Sequence, residues 1–541
     1  MDKVRLRNIC RPPKSGSESQ DFPRGAAALK ESPPISLLAS VNNPTRIYSS
    51  VLCSTLRLMS HHKPIGFSSG PRYVCVLVLV CITTAMTSPG QTFTTVFSFN
   101  GGNGSQPNGP LALGFDGNLY GTTKNGGSQG LGSVFKFTPP RTLTRLYSFC
   151  SQANCADGGV PDAGLVLGKD GNLYGTTPYG GTHKVGTIFK ITPQGVLTTL
   201  HNFCGTTCGE GYGTDQPLIE ASDGNFYGTA PSGGFNQGGT IFKISPTGKF
   251  TLLYSFCSKA GCADGFAPNG LVQATDGNFY GTTRFGSTGI DATVSGGTIF
   301  RFTPSRTLTT LHRFCGKDAC NGGYFPAAAL MQASDGVLYG TTQYSTGSAL
   351  GTVFKVTLQG AFTTIHRFCT NVDCLDGAFP RCKLVQGTDS NLYGTTTRKT
   401  TSGFGGTLFK LTRTGTLTVL HTFPGWRSED PGVIQTTDGN FYGTTKDYSA
   451  NYFGTIFKLG TGLGPFVETL PTAGAVESSV MIFGTNLSGA TAVNFNGTST
   501  LFSVVSNSEL SAIVPDGATT GKVMVVTPKG ILTSNVTFQV R

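Results

Sequence analysis

The segment Asp-Gly-Asn-Leu-Tyr-Gly-Thr-Thr beginning at Asp116 constrains this chain more than any other feature, because close copies of it return six times. Its aspartate recurs at Asp170, Asp223, Asp276, Asp335, Asp389 and Asp438, with offsets of 54, 53, 53, 59, 54 and 49. A repeat of that length is one supersecondary unit that must stack on its neighbours to bury its apolar faces. Each unit carries four strand signals, called a to d here. In the second unit these are GLVLG before Asp170, NLYGTT after it, GTIFKIT (186–192) and VLTTLHNF (196–203). Aromatic and β-branched residues between Gly, Pro and Asp favour strands throughout. Asp-Gly between a and b suits a tight hairpin, since glycine tolerates positive φ.

Four antiparallel strands per ~50-residue unit is the pattern of a propeller blade. The array opens with a lone d strand, TFTTVFSF (92–99), and closes with a, b and c strands that lack a d. The opening strand is therefore expected to complete the last blade and join the ends of the ring. This gives an all-β fold: a seven-bladed β-propeller over 92–460, then a linker at 461–466 and a further domain at 467–541. Blades are numbered here from the one containing Asp116.

The formal charge of +12 comes largely from the front of the chain. Residues 1–88 hold 11 basic and 4 acidic residues, leaving 29 and 24, or about +5, for the rest. No basic stripe remains, so nucleic acid is excluded as a partner. Residues 1–58 show no apolar periodicity and read as a disordered or mis-assigned extension. A basic stretch after Met59, the apolar run Tyr73–Ile82 and the small residues that follow describe a signal peptide over 59–88. Translation is expected to start at Met59 and cleavage to follow Ala85. The run is shorter than the ~20 residues of a membrane helix. An uncleaved signal segment is the alternative and the only expected contact with a membrane. The location read from this is extracytoplasmic, secreted or at the cell surface, and the chain is expected to be a monomer.

Residues that recur in every blade read first as packing. Strand b repeats Tyr120, Tyr174, Tyr227, Tyr280, Tyr339, Tyr393 and Tyr442. Strand c repeats Phe135, Phe189, Phe242, Phe300, Phe354, Phe409 and Phe457. An aromatic needed once for a ligand is not needed seven times. Asp116, Asp170, Asp223, Asp276, Asp335, Asp389 and Asp438 face a basic strand-c residue: Lys136, Lys190, Lys243, Arg301, Lys355, Lys410 and Lys458 in turn. These are expected to be structural ion pairs or turn-capping carboxylates.

Ten cysteines form close pairs in the d–a connections: Cys150/Cys155, Cys204/Cys208, Cys257/Cys262, Cys315/Cys320 and Cys369/Cys374. In an exported chain they read as small disulfide loops, each restricting the unfolded chain by about 2 kcal/mol. Pairs on separate blades lie too far apart to share a tetrahedral zinc, so neither metal nor cofactor is expected. Cys382 is left as a buried thiol.

Propeller geometry puts the d–a and b–c connections on one face. The b–c loops vary in length and content, and variation on a rigid frame is where binding resides. Tyr179, Phe285, Tyr344 and Tyr448 are the candidate contacts there. A second candidate set stands three residues before each repeat aspartate: Glu220, Gln273, Gln332, Gln386 and Gln435, with Leu113 and Leu167 at the other two positions. These either meet a ligand in the channel or satisfy unpaired backbone groups of the inner strand. His201, His312, His366 and His421 share one repeat position and read as structural. Only His183 is singular. His183 with Glu220 is the one pairing that offers lyase or hydrolase chemistry, so a binding role is expected over catalysis.

The recurring DGNLYGTT…GG…GTVFK unit resembles the GloVer tandem repeat of choice-of-anchor bacterial proteins, over about 92–460. The stretches LPTAGAVESSVMIFGTNLSGATAVNFNG, VSNSELSAIVPDGATTGKVMVVTPKG and NVTFQV resemble an IPT/TIG domain, an immunoglobulin-like β-sandwich. Alternation at Val480/Ile482, Val493/Phe495, Val523/Val525 and Val536/Phe538 supplies its inward faces, and Asn496-Gly497 its hairpin turn. The resemblance implies export and surface presentation. The exposed loop aromatics suit a glycan or a protein as the ligand; a purely structural scaffold is the alternative, and a propeller lyase or hydrolase the second.

Overall fold

The computed structural model describes residues 91–541, except 206–208, 287–295, 316–319, 321, 348, 372, 399–404, 424–431 and 447–451. The expected signal segment, Cys208 and Tyr448 lie outside the described residues. Among the described residues seven antiparallel sheets of four strand positions are arranged as expected, with the innermost strand of blades 1, 5 and 6 broken in two. In blade 2 the strands are Val166–Leu167, Leu173–Thr177, Thr187–Ile191 and Leu197–Asn202. Thr92–Ser98 pairs antiparallel with Thr455–Gly460, running from Thr92 opposite Gly460 to Ser98 opposite Thr455. The ring is closed by its own first strand.

Each letter of the repeated segment has a distinct physical task. The aspartate caps the a–b turn: Asp116 Oδ1 accepts from Asn118 N at 3.1 Å, and Oδ2 accepts from the Tyr120 hydroxyl at 2.7 Å. The turn glycine takes φ near +75°, and in blade 6 Ser390 fills that left-handed position at +63°. The strand-b glycine lets the strand-c ring lie on its backbone; a Cβ on Gly121 would meet Phe135 Cζ at 2.5 Å, and six other blades repeat the contact at 2.5–2.7 Å. The first threonine reaches the next blade, as Thr122 Oγ1 donates to Ala163 O at 2.8 Å and Thr229 Oγ1 to Asn269 O at 3.1 Å. The second threonine ties strand b to strand c, as between Thr177 and Thr187 at 2.9 Å. Tyr120, Val134 and Phe149 of blade 1 pack with Leu165, Leu173 and Phe189 of blade 2, so the apolar core lies between blades.

The aspartates are turn caps before they are ion-pair partners. Among the described residues only Lys243–Asp223, Lys410–Asp389 and Lys458–Asp438 come within 4 Å, at 3.9, 3.6 and 3.9 Å. The expected pairs Asp116–Lys136, Asp170–Lys190, Asp276–Arg301 and Asp335–Lys355 do not form. Asp335 instead meets Arg413, from blade 6, at 3.3 Å. In every blade the backbone N–H two residues on donates to the aspartate, and in six the tyrosine four residues on donates as well, so the turn is capped whether or not a lysine approaches. Burial disfavours the charged form of Asp170, yet hydrogen bonds from Asn172 and Tyr174, with the Lys190 charge, hold its carboxyl below the usual range.

After the ring, two sheets form a sandwich. One contains Glu468–Leu470, Ser479–Phe483, Glu509–Ile513 and Phe502–Ser506. The other contains Thr498–Thr500, Ala492–Phe495, Val523–Thr527 and Gly530–Thr533. Val480, Ile482, Val493, Phe495, Val523, Val525 and Phe538 make the core. Val536 does not join it and is 47% exposed, because the last segment pairs at Gln539–Val540 rather than through Val536. Asn496 and Gly497 both have positive φ, as a tight hairpin requires.

The sandwich packs on the a–b-turn face of the propeller. Phe115 stacks on Phe483 at 4.5 Å, Ser508 Oγ donates to Phe115 O at 2.8 Å, and Phe466 N donates to Thr437 O at 3.0 Å. Glu468 follows two residues after Phe466 and accepts from Asn535 Nδ2 at 3.3 Å. Burial pushes its carboxyl up to about 7, and the Asn535 hydrogen bond only partly opposes this.

Two outcomes follow from these contacts. Asp276→Ala should cost about 2 kcal/mol, since Asn278 and Tyr280 lose a charged acceptor, while Lys243→Met should cost under about 1 kcal/mol. Equal shifts in the urea midpoint would contradict the turn-cap assignment. For Glu468 the folded-state value is raised, so its contribution is full below the ordinary value of 4.5 and is lost as pH rises to about 7. Glu468→Gln should therefore leave the melting temperature unchanged near pH 4.5 and raise it at pH 8; the same difference at both values refutes the coupling.

Candidate functional site

The five polar residues before the repeat aspartates are inter-blade staples. Gln273 Oε1 accepts from Ser222 N at 2.8 Å, Gln332 Oε1 from Thr275 N at 2.9 Å, Gln386 Oε1 from Ser334 N at 2.8 Å and Gln435 Oε1 from Thr388 N at 2.9 Å. Each bond reaches the preceding blade. The Gln273, Gln332 and Gln435 amides also donate to the turn-glycine carbonyls of their own blades at 3.0–3.1 Å. Glu220 accepts from Lys169 N at 3.1 Å in the same way. A ligand role for this set is thus displaced by the backbone groups it satisfies. Leu113 and Leu167 cannot make the bond, so two junctions, between blades 7 and 1 and between blades 1 and 2, have no staple. The carbonyls at those two junctions, Thr437 and Phe115, are the ones that accept from the sandwich domain.

His183 and Glu220 do not meet. Glu220 is held at an a–b turn, whereas His183 is exposed in a b–c loop, with Thr182 Oγ1 3.1 Å from its Nδ1. The histidines at the shared repeat position brace the d–a loops: His201 lies 3.0 Å from Glu210 and His366 lies 3.0 Å from Asp376. Tyr147 and Tyr254 donate to Asp157 and Asp264 at 2.8 Å in the equivalent places. Four disulfides pin the same loops: Cys150–Cys155, Cys257–Cys262, Cys315–Cys320 and Cys369–Cys374. Cys382 is a buried thiol outside these disulfides, as expected, and its Sγ accepts from Thr395 N at 3.0 Å.

On this face Tyr179 is 43% exposed. Phe285 and Tyr344 are half-buried, because they belong to an aromatic arc across three blades. Phe285 contacts Phe266 and Phe325 at 5.1 Å; Tyr344 contacts Tyr324 at 5.4 Å and Phe379 at 5.5 Å. Arg284 lies over Phe285 and Arg398 over Phe379, at 5.5 and 5.3 Å. Phe235, Leu375 and Tyr452 add exposed apolar surface to the same face.

A charged set that sequence reasoning missed lies inside this arc, where the innermost strands begin. Asp162 accepts from Asn108 Nδ2 at 2.6 Å and pairs with Lys124 at 2.8 Å, both from blade 1. Asp215 of blade 3 feels the charge of Asp162; burial first and that repulsion second push its carboxyl up to about 6, against the Arg284 charge. Gln343 of blade 5, with its oxygen turned to accept, takes a bond from Arg381 Nε of blade 6 at 3.1 Å. The available signal was the residue after a repeated Pro or Thr: Asn108, Asp162, Asp215, Asn269 and Arg381 vary in charge where a packing position would stay constant. Immediately before the prolines stand Gln106, Val160, Ala267, Phe325 and Phe379, all with φ of 53–56°. Non-glycine residues hold that conformation only where the surroundings enforce it, and its recurrence in five blades makes it part of the repeat's own geometry.

The Gloeobacter/Verrucomicrobia repeat matches residues 82–263 and 215–457, and the IPT/TIG domain matches 466–540. No curated protein matches the chain. Among solved structures it is similar to a luciferin-regenerating enzyme, 12% identical, over 55% of this chain and 89% of that one, with a TM-score of 0.35. It is also similar to a protein of unknown function from Dyadobacter fermentans, 9% identical, over 69% and 98%, with a TM-score of 0.37. Both likenesses are too distant to carry a function across. Repeats of this kind joined to an IPT/TIG domain fit a surface binding or scaffold protein. With most of its length inside the repeat match, the chain belongs to the Gloeobacter/Verrucomicrobia repeat family and ends in an IPT/TIG domain.

Proposed function

We propose that the chain is exported and serves as a surface-presented binding module whose ligand, a glycan, rests on the face made by the b–c and d–a loops. The observation that carries this reading is the asymmetry of the two faces. The IPT/TIG domain covers the a–b turns, while Tyr179, Phe235, Leu375 and Tyr452 expose apolar surface on the opposite face. Aromatic rings with one free side suit the apolar faces of sugar rings, and disulfide-pinned loops lower the ordering cost of binding. Four disulfides in short loops fit an oxidising compartment and so support export. No helix among the described residues is long and apolar enough to cross a membrane.

The face reads as a binding surface and not a catalytic one. His201 and His366 brace loop carboxylates, and among the described residues no carboxylate pairs with His183. The purified full chain applied to a glycan array should retain defined oligosaccharides. Tyr179→Ala and Tyr344→Ala should each weaken retention about tenfold, equivalent to about 1.4 kcal/mol. Absence of any retained glycan would favour a scaffold without a ligand, and unchanged retention by both variants would remove this face from the account.

A further inference from the structure

The strand-a residues nearest the propeller axis are small in every described blade but one. Gly432 packs against Pro110, Pro110 against Gly164, and Gly270 against Ala329, so adjacent blades touch there through backbone and methylene groups. The same repeat position in blade 6, immediately before the buried Leu384, is Lys383. Its side chain reaches solvent at this axial position, as a channel-lining group does. No carboxylate among the described residues pairs with it, and burial alone pushes its amine down. Nearer the mouth, Lys124 is neutralised by Asp162, and Arg284 faces Asp215. Among the described residues the bonded partner of Arg381 is the neutral Gln343. The uncompensated positive charge therefore collects in blade 6, on Arg381 and Lys383.

The opposite end of the channel is capped. The IPT/TIG domain bonds to blade 1 at Phe115 and to blade 7 at Thr437. It also shares a cavity with Ser334 and Gln386 of blades 5 and 6, and its Arg541 shares another with Asp223 and Gln273 of blades 3 and 4. A domain that reaches opposite sides of a ring lies across its axis. The channel then opens freely only on the face with the aromatic arc.

We infer that this capped channel receives the carboxylate of an acidic sugar, with the Lys383 ammonium as its counter-charge and the arc at Phe379 and Tyr344 as the platform for the sugar rings. The inference rests on the glycan reading above and narrows it. An ammonium without a carboxylate partner attracts an anion, and the low-dielectric walls of a channel strengthen that attraction. Lys383 lies four positions after Phe379, at most about 14 Å of extended chain, so one oligosaccharide can touch both.

The test uses the full chain, titrated calorimetrically with cellobiouronic acid and with cellobiose, which differ by a carboxylate in place of a hydroxymethyl group. The acid should bind at least tenfold more tightly, and added salt should narrow that gap. Lys383→Met should abolish the preference without lowering the melting temperature, since it removes an unpaired charge, and Lys383→Arg should restore part of it. Equal binding of both sugars that still depends on Tyr344 overturns the inference while leaving the glycan reading intact. Failure of the acid to bind overturns it too, as does displacement of the acid by inorganic phosphate at equal concentration, which would make the channel a general anion site.

Discussion

A ring of seven blades depends on one pairing between residues more than 350 positions apart: Thr92–Ser98 against Thr455–Gly460. Closing so long a loop costs conformational entropy, but the cost grows only logarithmically with length. What the ladder secures is large by comparison. Without it blade 7 has an open edge at Thr455–Gly460, and Phe93 leaves its place beside Phe423 and Phe457. The packing between blades, where the apolar core lies, then loses its last contact, and with it the fixed radius that positions every channel residue.

Within each blade the radius is set by close approach more than by bulk. The strand-b glycine under the strand-c phenylalanine occurs in all seven blades. It lets the sheet bring one ring onto the backbone of its neighbouring strand and leaves the tyrosine beside it to fill the space toward the next blade. Large and small side chains thus alternate at fixed places, which is how a tapering wedge is packed to the density of a protein interior.

Period, turn chemistry and closure were legible in the sequence because they are local and repeated. The four strands, the disulfide pairs, the Asn496-Gly497 hairpin and the unpaired opening strand all belong to that class. Interactions between blades were harder to read. Asp162 meets Lys124 across 38 residues and one blade boundary, a separation that no short-range pattern encodes. Of the two readings of the repeat aspartates the turn cap is the local one and holds throughout, since Asn118 and Tyr120 are nearer Asp116 along the chain than Lys136, while only some of the ion pairs form. Glutamines that looked available to a ligand were already bonded to the neighbouring blade. Val536 was misplaced because alternation continues in the letters after the strand has left the sheet.

The belt of glutamine staples is interrupted at two adjacent junctions, and those are where the sandwich domain bonds to Phe115 and Thr437. The domain thereby behaves as a clasp on a bracelet, fastened at the stretch where the hoop was joined. Tension applied along the chain would otherwise concentrate on the six paired positions of the closing ladder. With the clasp in place, load entering at the C-terminal end is shared with blades on both sides of the join. Mechanical endurance of the hoop and retention of the tail domain are in this way one property of the molecule.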